Sequence, residues 1–216
     1  MANQILDNLK KAVLECDAQG ASSWAAKAVE EKVDLLKALD ALTDAIREVG
    51  DGFGKGEIFL PELVGAAEAM QSATSIIEEE LKKTGAKRES LGTIVAGTVF
   101  GDIHNIGKSM VCTLLVAAGF EVIDLGVNVE TERFIQAVKD YKADVLAMSA
   151  LLTMYTAEQK KVIDRLKEEG IRDKVKVIVG GGAINEEFAR MVGADGYAPT
   201  APEGVALTKK LLGLPD

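Results

Sequence analysis

Apolar residues in the first 88 positions recur every three to four residues, the spacing of helices that each bury one face. Four such stripes follow one another, over residues 5–13, 24–33, 35–49 and 61–81. Ser22 or Ser23 is expected to cap the second helix, and Pro61 to lie in the first turn of the fourth. We therefore predict a small four-helix bundle.

The connection between the third and fourth predicted helices, residues 50–60, contains four glycines, which indicate a break in the helix. Phe53, Ile58, Phe59 and Leu60 are nevertheless strongly apolar. Two interpretations stay open on these residues alone. The apolar side chains either fold the connection against the bundle or, in part, face a bound ligand.

From residue 91 onward, short apolar and β-branched runs alternate with helix-like segments. The predicted strands cover 91–99, 120–125, 144–149, 175–180 and 195–198, and the predicted helices cover 106–118, 131–141, 156–169, 185–192 and 202–212. Five such units predict an α/β fold with a flavodoxin- or Rossmann-like, doubly wound parallel sheet of five strands. Because the polar segment 82–90 separates the two patterns, we predict a helical domain at 1–88 and an α/β domain at 89–216.

Composition excludes several classes of function. The 216 residues carry a net charge of −9, and 48% of them are hydrophobic, so a sizeable core is expected and no basic face for nucleic acid is evident. No stretch is apolar enough to span a bilayer, and the first residues lack a secretion signal, so we expect a cytoplasmic protein. Cys16 and Cys112 lie far apart and belong to no Cys-x-x-Cys pair, which indicates ordinary thiols.

The only histidine lies in residues 101–108, at the predicted junction of the first strand and its helix. Such loops line the carboxyl edge of a parallel sheet, where ligands bind. A lone histidine is most often structural, but Asp102 lies two residues before His104, and a carboxylate on one ring nitrogen leaves the other free for a metal. One histidine without thiolates cannot build a zinc site. It suffices for a metal that arrives with its equatorial ligands, as in a tetrapyrrole-like cofactor.

Two further loops follow predicted strands and carry possible binding residues. Ser149 and Thr153 offer hydroxyl groups after the third strand, and residues 180–182 after the fourth are three consecutive glycines. Glycines let a bulky group approach the backbone closely. Their spacing matches neither of the common phosphate-binding glycine motifs.

Three motifs, taken together, resemble the cobalamin-binding signature of corrinoid methyl-carrier proteins. They are Asp102-x-His104-x-x-Gly107, Ser149-x-Leu151 and Gly181-Gly182, in this order. Residues 53–61 also resemble the cap segment of that family, including the cap of cobalamin-dependent methionine synthase. The resemblance therefore extends over nearly the whole chain, whereas a bare cobalamin-binding domain of a mutase would lack the cap.

The resemblance implies a base-off, His-on corrinoid, in which the lower base leaves cobalt for the α/β domain and His104 replaces it as the axial ligand. It implies that Asp102 hydrogen-bonds His104 and that this pair takes part in the reaction. The residues that it implies as cofactor contacts are Gly101, Asp102, Ile103, His104, Asn105, Ile106, Gly107, Ser149, Leu151, Thr153, Gly181 and Gly182, with Phe53 and Leu60 of the helical cap above the cobalt.

The implied function is to carry a methyl group on cobalt between two enzymes. One is a substrate:corrinoid methyltransferase, and the other is a second methyltransferase to tetrahydrofolate or a thiol such as coenzyme M. A reductive activase is the third implied partner. The cap must then move, and residues 50–56 and 82–90 are the expected hinges.

One position departs from the methionine synthase pattern, in which a serine six residues after the equivalent of Ser149 completes the His–Asp pair. Here that position is Tyr155. Two alternatives stay open: the phenol donates to Asp102, or the pair ends in water.

Two other functions are compatible with the predicted fold. A cobalamin-dependent sensor would carry a DNA-binding helix-turn-helix, but no such module or basic patch is evident before residue 91. A flavodoxin-like binding domain would hold no corrinoid.

Overall fold

The computed structural model describes residues 2–84 and 90–215, which divide into two compact units. One unit contains four helices: α1 (Ala2–Leu14), α2 (Ala18–Glu30), α3 (Leu35–Lys55) and α4 (Leu60–Thr84). Their buried faces are lined by large aliphatic side chains, among them Leu9, Leu42, Ile46, Leu63 and Ile77. The predicted four helices are confirmed. The domain boundary predicted at residue 88 falls within 85–89, outside the described residues.

The start of α2 differs from the prediction. Asp17 caps the helix, and its carboxylate accepts a hydrogen bond from the backbone N–H of Gly20 at 2.8 Å. The hydroxyls of Ser22 and Ser23 instead donate to carbonyls one turn earlier, at 3.0 and 2.8 Å. The predicted serine cap was wrong, because the helix begins earlier and is capped by Asp17, which is an equally good cap residue.

The predicted break between the third and fourth helices is confirmed but begins later than residue 50, because α3 continues through Gly50, Gly52 and Gly54 to Lys55 and α4 begins at Leu60. A Cβ at Gly52 would lie 2.8 Å from Cδ1 of Ile58, so this glycine allows the connection to pack closely on the helix. Gly56 ends the helix in the left-handed conformation, with φ of 76°. The expected hinge at 50–56 is therefore helical up to its last residue, and part of the other expected hinge, 85–89, lies outside the described residues.

The second unit is a five-stranded parallel sheet with helices, which confirms the predicted fold class. Its strands are β1 (Thr93–Thr98), β2 (Glu121–Asp124), β3 (Val145–Ser149), β4 (Lys176–Gly180) and β5 (Gly196–Tyr197), and its helices are α5 (Ile106–Ala117), α6 (Thr131–Tyr141), α7 (Thr156–Glu168), α8 (Glu186–Val192) and α9 (Ala201–Leu211). The strand order is β2-β1-β3-β4-β5. No helix in the described ranges is long and apolar enough to cross a membrane.

The strand order places a topological switch point between β1 and β3. The chain leaves β1 for β2 on one side and then returns to pair β3 on the other side, with Thr98 opposite Ser149 at the last matched position. Ligands of open α/β sheets bind at such points, outside the carboxyl ends of the strands. The loops that follow β1 and β3 therefore leave the sheet side by side.

Candidate functional site

Asp102 is fully buried in the turn that follows β1. Its Oδ1 accepts hydrogen bonds from the backbone N–H of His104 at 3.0 Å and from the ring Nδ1 at 2.6 Å, and its Oδ2 accepts one from the N–H of Leu151 at 2.7 Å. Burial by itself would raise the pKa of Asp102. The two backbone donors and the imidazole outweigh burial and hold its pKa below the usual value. Asp102 is therefore a carboxylate near neutral pH.

His104 is held at Nδ1, while its side chain remains 47% exposed. An ionised Asp102 requires the proton on Nδ1, which leaves the lone pair on Nε2. The described residues provide no hydrogen-bond partner for Nε2. The buried hydroxyl of Thr98 donates to the backbone carbonyl of His104 at 3.0 Å, so the backbone is fixed as well. The arrangement can present one imidazole nitrogen to a metal.

The loop after β2 supports this turn through Asn128, a residue that the sequence analysis missed. Its Oδ1 accepts from the N–H of Gly101 at 2.8 Å, and its own N–H donates to the carbonyl of Asp102 at 2.9 Å. Asn128 has φ of 54°, a conformation that asparagine tolerates better than most residues. An asparagine three residues after the end of the predicted strand 120–125 was the available signal.

The second carboxylate oxygen of Asp102 is bound by a backbone group, and within the described residues the phenol of Tyr155 donates no hydrogen bond to Asp102. Oδ2 accepts from the N–H of Leu151. The ring of Tyr155 lies on Gly101 instead, where a Cβ would be only 2.7 Å from its Cε1. Gly101 has φ of 85°, so this turn requires glycine for both reasons.

The remaining residues of the β3 loop are less constrained. Ser149 ends the strand, half-buried, and its hydroxyl makes no hydrogen bond within the described part of the chain. Thr153 is exposed and begins a single 3-10 turn that ends at Tyr155. The structure thus brings Leu151 against Asp102, whereas the two hydroxyl groups remain free to meet a ligand.

The glycines of the three motifs have different surroundings. At Gly107 a Cβ would meet no heavy atom within 4 Å, so the space beside this residue is open. At Gly181, with φ of 117°, a Cβ would lie 2.0 Å from the carbonyl oxygen of Ala150. At Gly182 it would lie 2.8 Å from Cδ1 of Leu151. Gly181 and Gly182 therefore let the β4 loop pack directly against the β3 loop.

Large apolar side chains are exposed on the loops around His104. Ile103 is 72% exposed and Met154 is 71% exposed. The others are Phe100, Ile106, Leu151 and Leu152. Exposed apolar groups in such number at the ligand-binding edge of a sheet indicate a large apolar ligand.

The donor set fits a metal that brings its own equatorial ligands. In the ranges 2–84 and 90–215 no three His, Cys, Asp or Glu side chains come together to hold a metal ion. A single accessible imidazole nitrogen among exposed apolar side chains fits the lower face of a corrinoid. Phe53 lies on α3 and Leu60 begins α4, both half-buried in the helical unit, and their place above the cobalt stays a prediction.

Comparison with known proteins identifies the family. Models of a B12 binding domain match residues 92–206 and residues 5–78. A corrinoid protein of Desulfitobacterium hafniense is 42% identical over 215 residues, covering 99% of this chain and 100% of that protein. The trimethylamine corrinoid protein of Methanosarcina barkeri is 40% identical over 215 residues, covering 98% of this chain and 99% of that protein.

Solved structures agree with these relatives. A chain in the crystal structure of the methanol:cobalamin methyltransferase complex MtaBC from Methanosarcina barkeri matches with a TM-score of 0.84 and 31% identity, over 97% of this chain and 80% of that chain. The monomethylamine corrinoid protein of the same organism matches with a TM-score of 0.54 and 32% identity, over 98% of this chain and 100% of that chain. The resemblance noted in the sequence is confirmed: the chain belongs to the B12-binding corrinoid proteins of methyltransferase systems.

Proposed function

We propose that this chain holds a corrinoid in the base-off form, with Nε2 of His104 as the lower axial ligand of cobalt, and carries a methyl group on that cobalt. The observation that carries the proposal is the Asp102–His104 pair. A buried carboxylate bonded to Nδ1 at 2.6 Å leaves Nε2 accessible at the edge of the sheet where ligands bind.

A bound corrinoid supplies a cobalt centre that takes a methyl group from a donor and yields it to an acceptor. The chain supplies the position and basicity of His104. Asp102 fixes the ring orientation and increases the electron density on Nε2.

The loops around His104 supply the remaining contacts in this proposal. Ile103 and Ile106 offer apolar surface to the corrin edge, and the open space beside Gly107 accommodates the displaced lower base. The hydroxyls of Ser149 and Thr153 are available to polar atoms of that base. Phe53 and Leu60 of the helical unit shield the upper face, so the cap must move before a methyl group can be transferred.

Both methyl transfers are assigned to partner enzymes. The described residues bring no three metal-binding side chains together that could activate a donor or an acceptor. Because a structural relative comes from a methanol:cobalamin methyltransferase complex, we place a substrate:corrinoid methyltransferase on the donor side. A second methyltransferase to tetrahydrofolate or a thiol, and a reductive activase, complete the proposed system, which we place in the cytoplasm. The relatives give no support to a sensor function.

Reconstitution with hydroxocobalamin tests the proposal. The purified chain is expected to retain about one cobalamin after gel filtration, with the spectrum of an imidazole-coordinated, base-off corrinoid. The same chain unfolded in guanidinium chloride serves as the control for non-specific adsorption. A colourless protein fraction would refute corrinoid binding. A retained cobalamin with its own base still on cobalt would refute the role of His104.

A substitution at Gly107 is expected to separate cofactor binding from stability. Alanine is the better helix former and would meet no atom here, so Gly107→Ala should stabilise the unloaded chain by up to about 1 kcal/mol. The same methyl group would occupy space needed by the lower base and weaken cobalamin binding by about tenfold or more. Equilibrium dialysis and thermal unfolding measure the two effects. Gly54→Ala, in open space on α3, is the matched control and should leave cobalamin affinity unchanged.

A further inference from the structure

Lys108 forms a buried ion pair that the proposed chemistry does not use. It lies in the first turn of α5, its side chain is only 5% exposed, and its Nζ contacts both carboxylate oxygens of Asp124 at the end of β2. Lysine is rarely buried, and removing an ammonium group from water costs several kcal/mol before pairing offsets it. Such a residue needs an explanation beyond stability.

Asp124 is itself tied to the strand that leads to His104. Its Oδ1 accepts from the N–H of Gly126 at 2.9 Å, and the carbonyl of Gly126 accepts from the N–H of Thr98 at 3.0 Å. The hydroxyl of Thr98 in turn donates to the carbonyl of His104. The ion pair is thus continuous with the hydrogen bonds that hold the histidine backbone.

The loop of residues 101–108, here called the His104 loop, is fastened at one end to the loop after β2 and at the other end to the last residue of β2. Asn128 binds Gly101 and Asp102 at its entrance, and Asp124 binds Lys108 at its exit. Between these two points, residues 103–107 are all exposed. The shape of the middle of the loop therefore depends strongly on the attachment of its ends.

We propose that Lys108 is a positioning residue, whose ion pair with Asp124 fixes the exit of the His104 loop and so preorganises His104 for cobalt. This inference rests on the proposed function. A positioning role differs from simple stabilisation of the sheet, because loss of the ion pair should then loosen the His104 loop selectively. Precise placement of a ligand requires supporting contacts of this kind.

Hydrogen exchange of the full, corrinoid-free chain directly tests whether the ion pair of Lys108 fixes the end of the His104 loop. Lys108→Met keeps the length and apolar stem but removes the charge, and should increase amide exchange in peptide 99–109 by about tenfold. Leu166→Ala, a fully buried α7 side chain, is the control. It should lower the melting temperature at least as much without selective loosening of that peptide. Lys108→Met with wild-type exchange in this peptide would overturn the inference.

The absorption spectrum of the cobalamin-loaded chain gives the second readout. Lys108→Met should reduce the ratio of His-coordinated to uncoordinated cobalamin by about tenfold, as for loss of other groups that orient a metal ligand. Lys108→Arg keeps the charge and should therefore keep the wild-type ratio. Leu166→Ala should also leave the ratio unchanged. A wild-type ratio in Lys108→Met, or an equal change in Leu166→Ala, would refute the positioning role.

Two provisions keep the experiment decisive. If Lys108→Met does not fold, Asp124→Asn removes the same ion pair from its partly exposed side, where the carboxylate is 38% exposed, and the same two readouts apply. If the wild-type chain takes up no cobalamin, the proposed function fails. The exchange measurement then still decides whether Lys108 fixes the loop.

Discussion

Replacing His104 by alanine is expected to abolish His-on coordination while cobalamin stays bound. The described residues offer no second imidazole, since His104 is the only histidine of the chain. The apolar loop side chains, the hydroxyls of Ser149 and Thr153 and the space beside Gly107 all remain. The spectrum should therefore change to that of a base-off corrinoid without a protein ligand. Methyl transfer should fall by more than about 100-fold, the upper range for loss of a group that only orients a ligand.

The measurement combines the absorption spectrum with the cobalamin content after gel filtration. Gln136→Ala, an exposed polar residue on α6, is the control and should leave both unchanged. An unaltered spectrum in His104→Ala would show that another group holds the cobalt. Complete loss of cobalamin would show that axial coordination, and not the surrounding loops, provides most of the affinity.

The sequence predicted the sheet unit well because each of its signals is local. β-branched runs identified the buried strands, and the position of His104 directly after the first of them identified the ligand-binding loop. The two-residue spacing of Asp102 and His104 suffices for the hydrogen bond between them. These features depend on residues close together in the chain, which a sequence displays directly.

The features that the sequence did not reveal depend on contacts between distant segments. The hydrogen bond from Leu151 to Asp102 uses a backbone N–H, which every residue except proline possesses and no motif records. The attachments of Asn128 and Lys108 depend on how the end of β2 and the loop after it meet the His104 loop. The length of α3 is a second example. Glycine costs about 1 kcal/mol relative to alanine within a helix, but the close packing of Gly52 on Ile58 favours a helix that continues past residue 50.

Gly181→Ala is expected to be the most destabilising single-methyl change in the site. The residue has φ of 117°, a conformation that costs a side chain roughly 1–3 kcal/mol. The added Cβ would also lie 2.0 Å from the carbonyl oxygen of Ala150, so the backbone itself must shift. We expect the free energy of unfolding to fall by about 3 kcal/mol or more. Urea denaturation of the corrinoid-free chain measures this change.

The adjacent Gly180 provides a matched control, since its Cβ would meet nothing within 4 Å. Gly180→Ala should change the free energy of unfolding by less than about 1 kcal/mol. Equal effects of the two substitutions would contradict the close approach of the β3 and β4 loops. Because Ala150 immediately precedes Leu151, a shift at Gly181 must also displace the N–H that binds Asp102. Gly181→Ala should therefore weaken His104 coordination as well as folding, which connects a glycine of the third motif to the axial ligand.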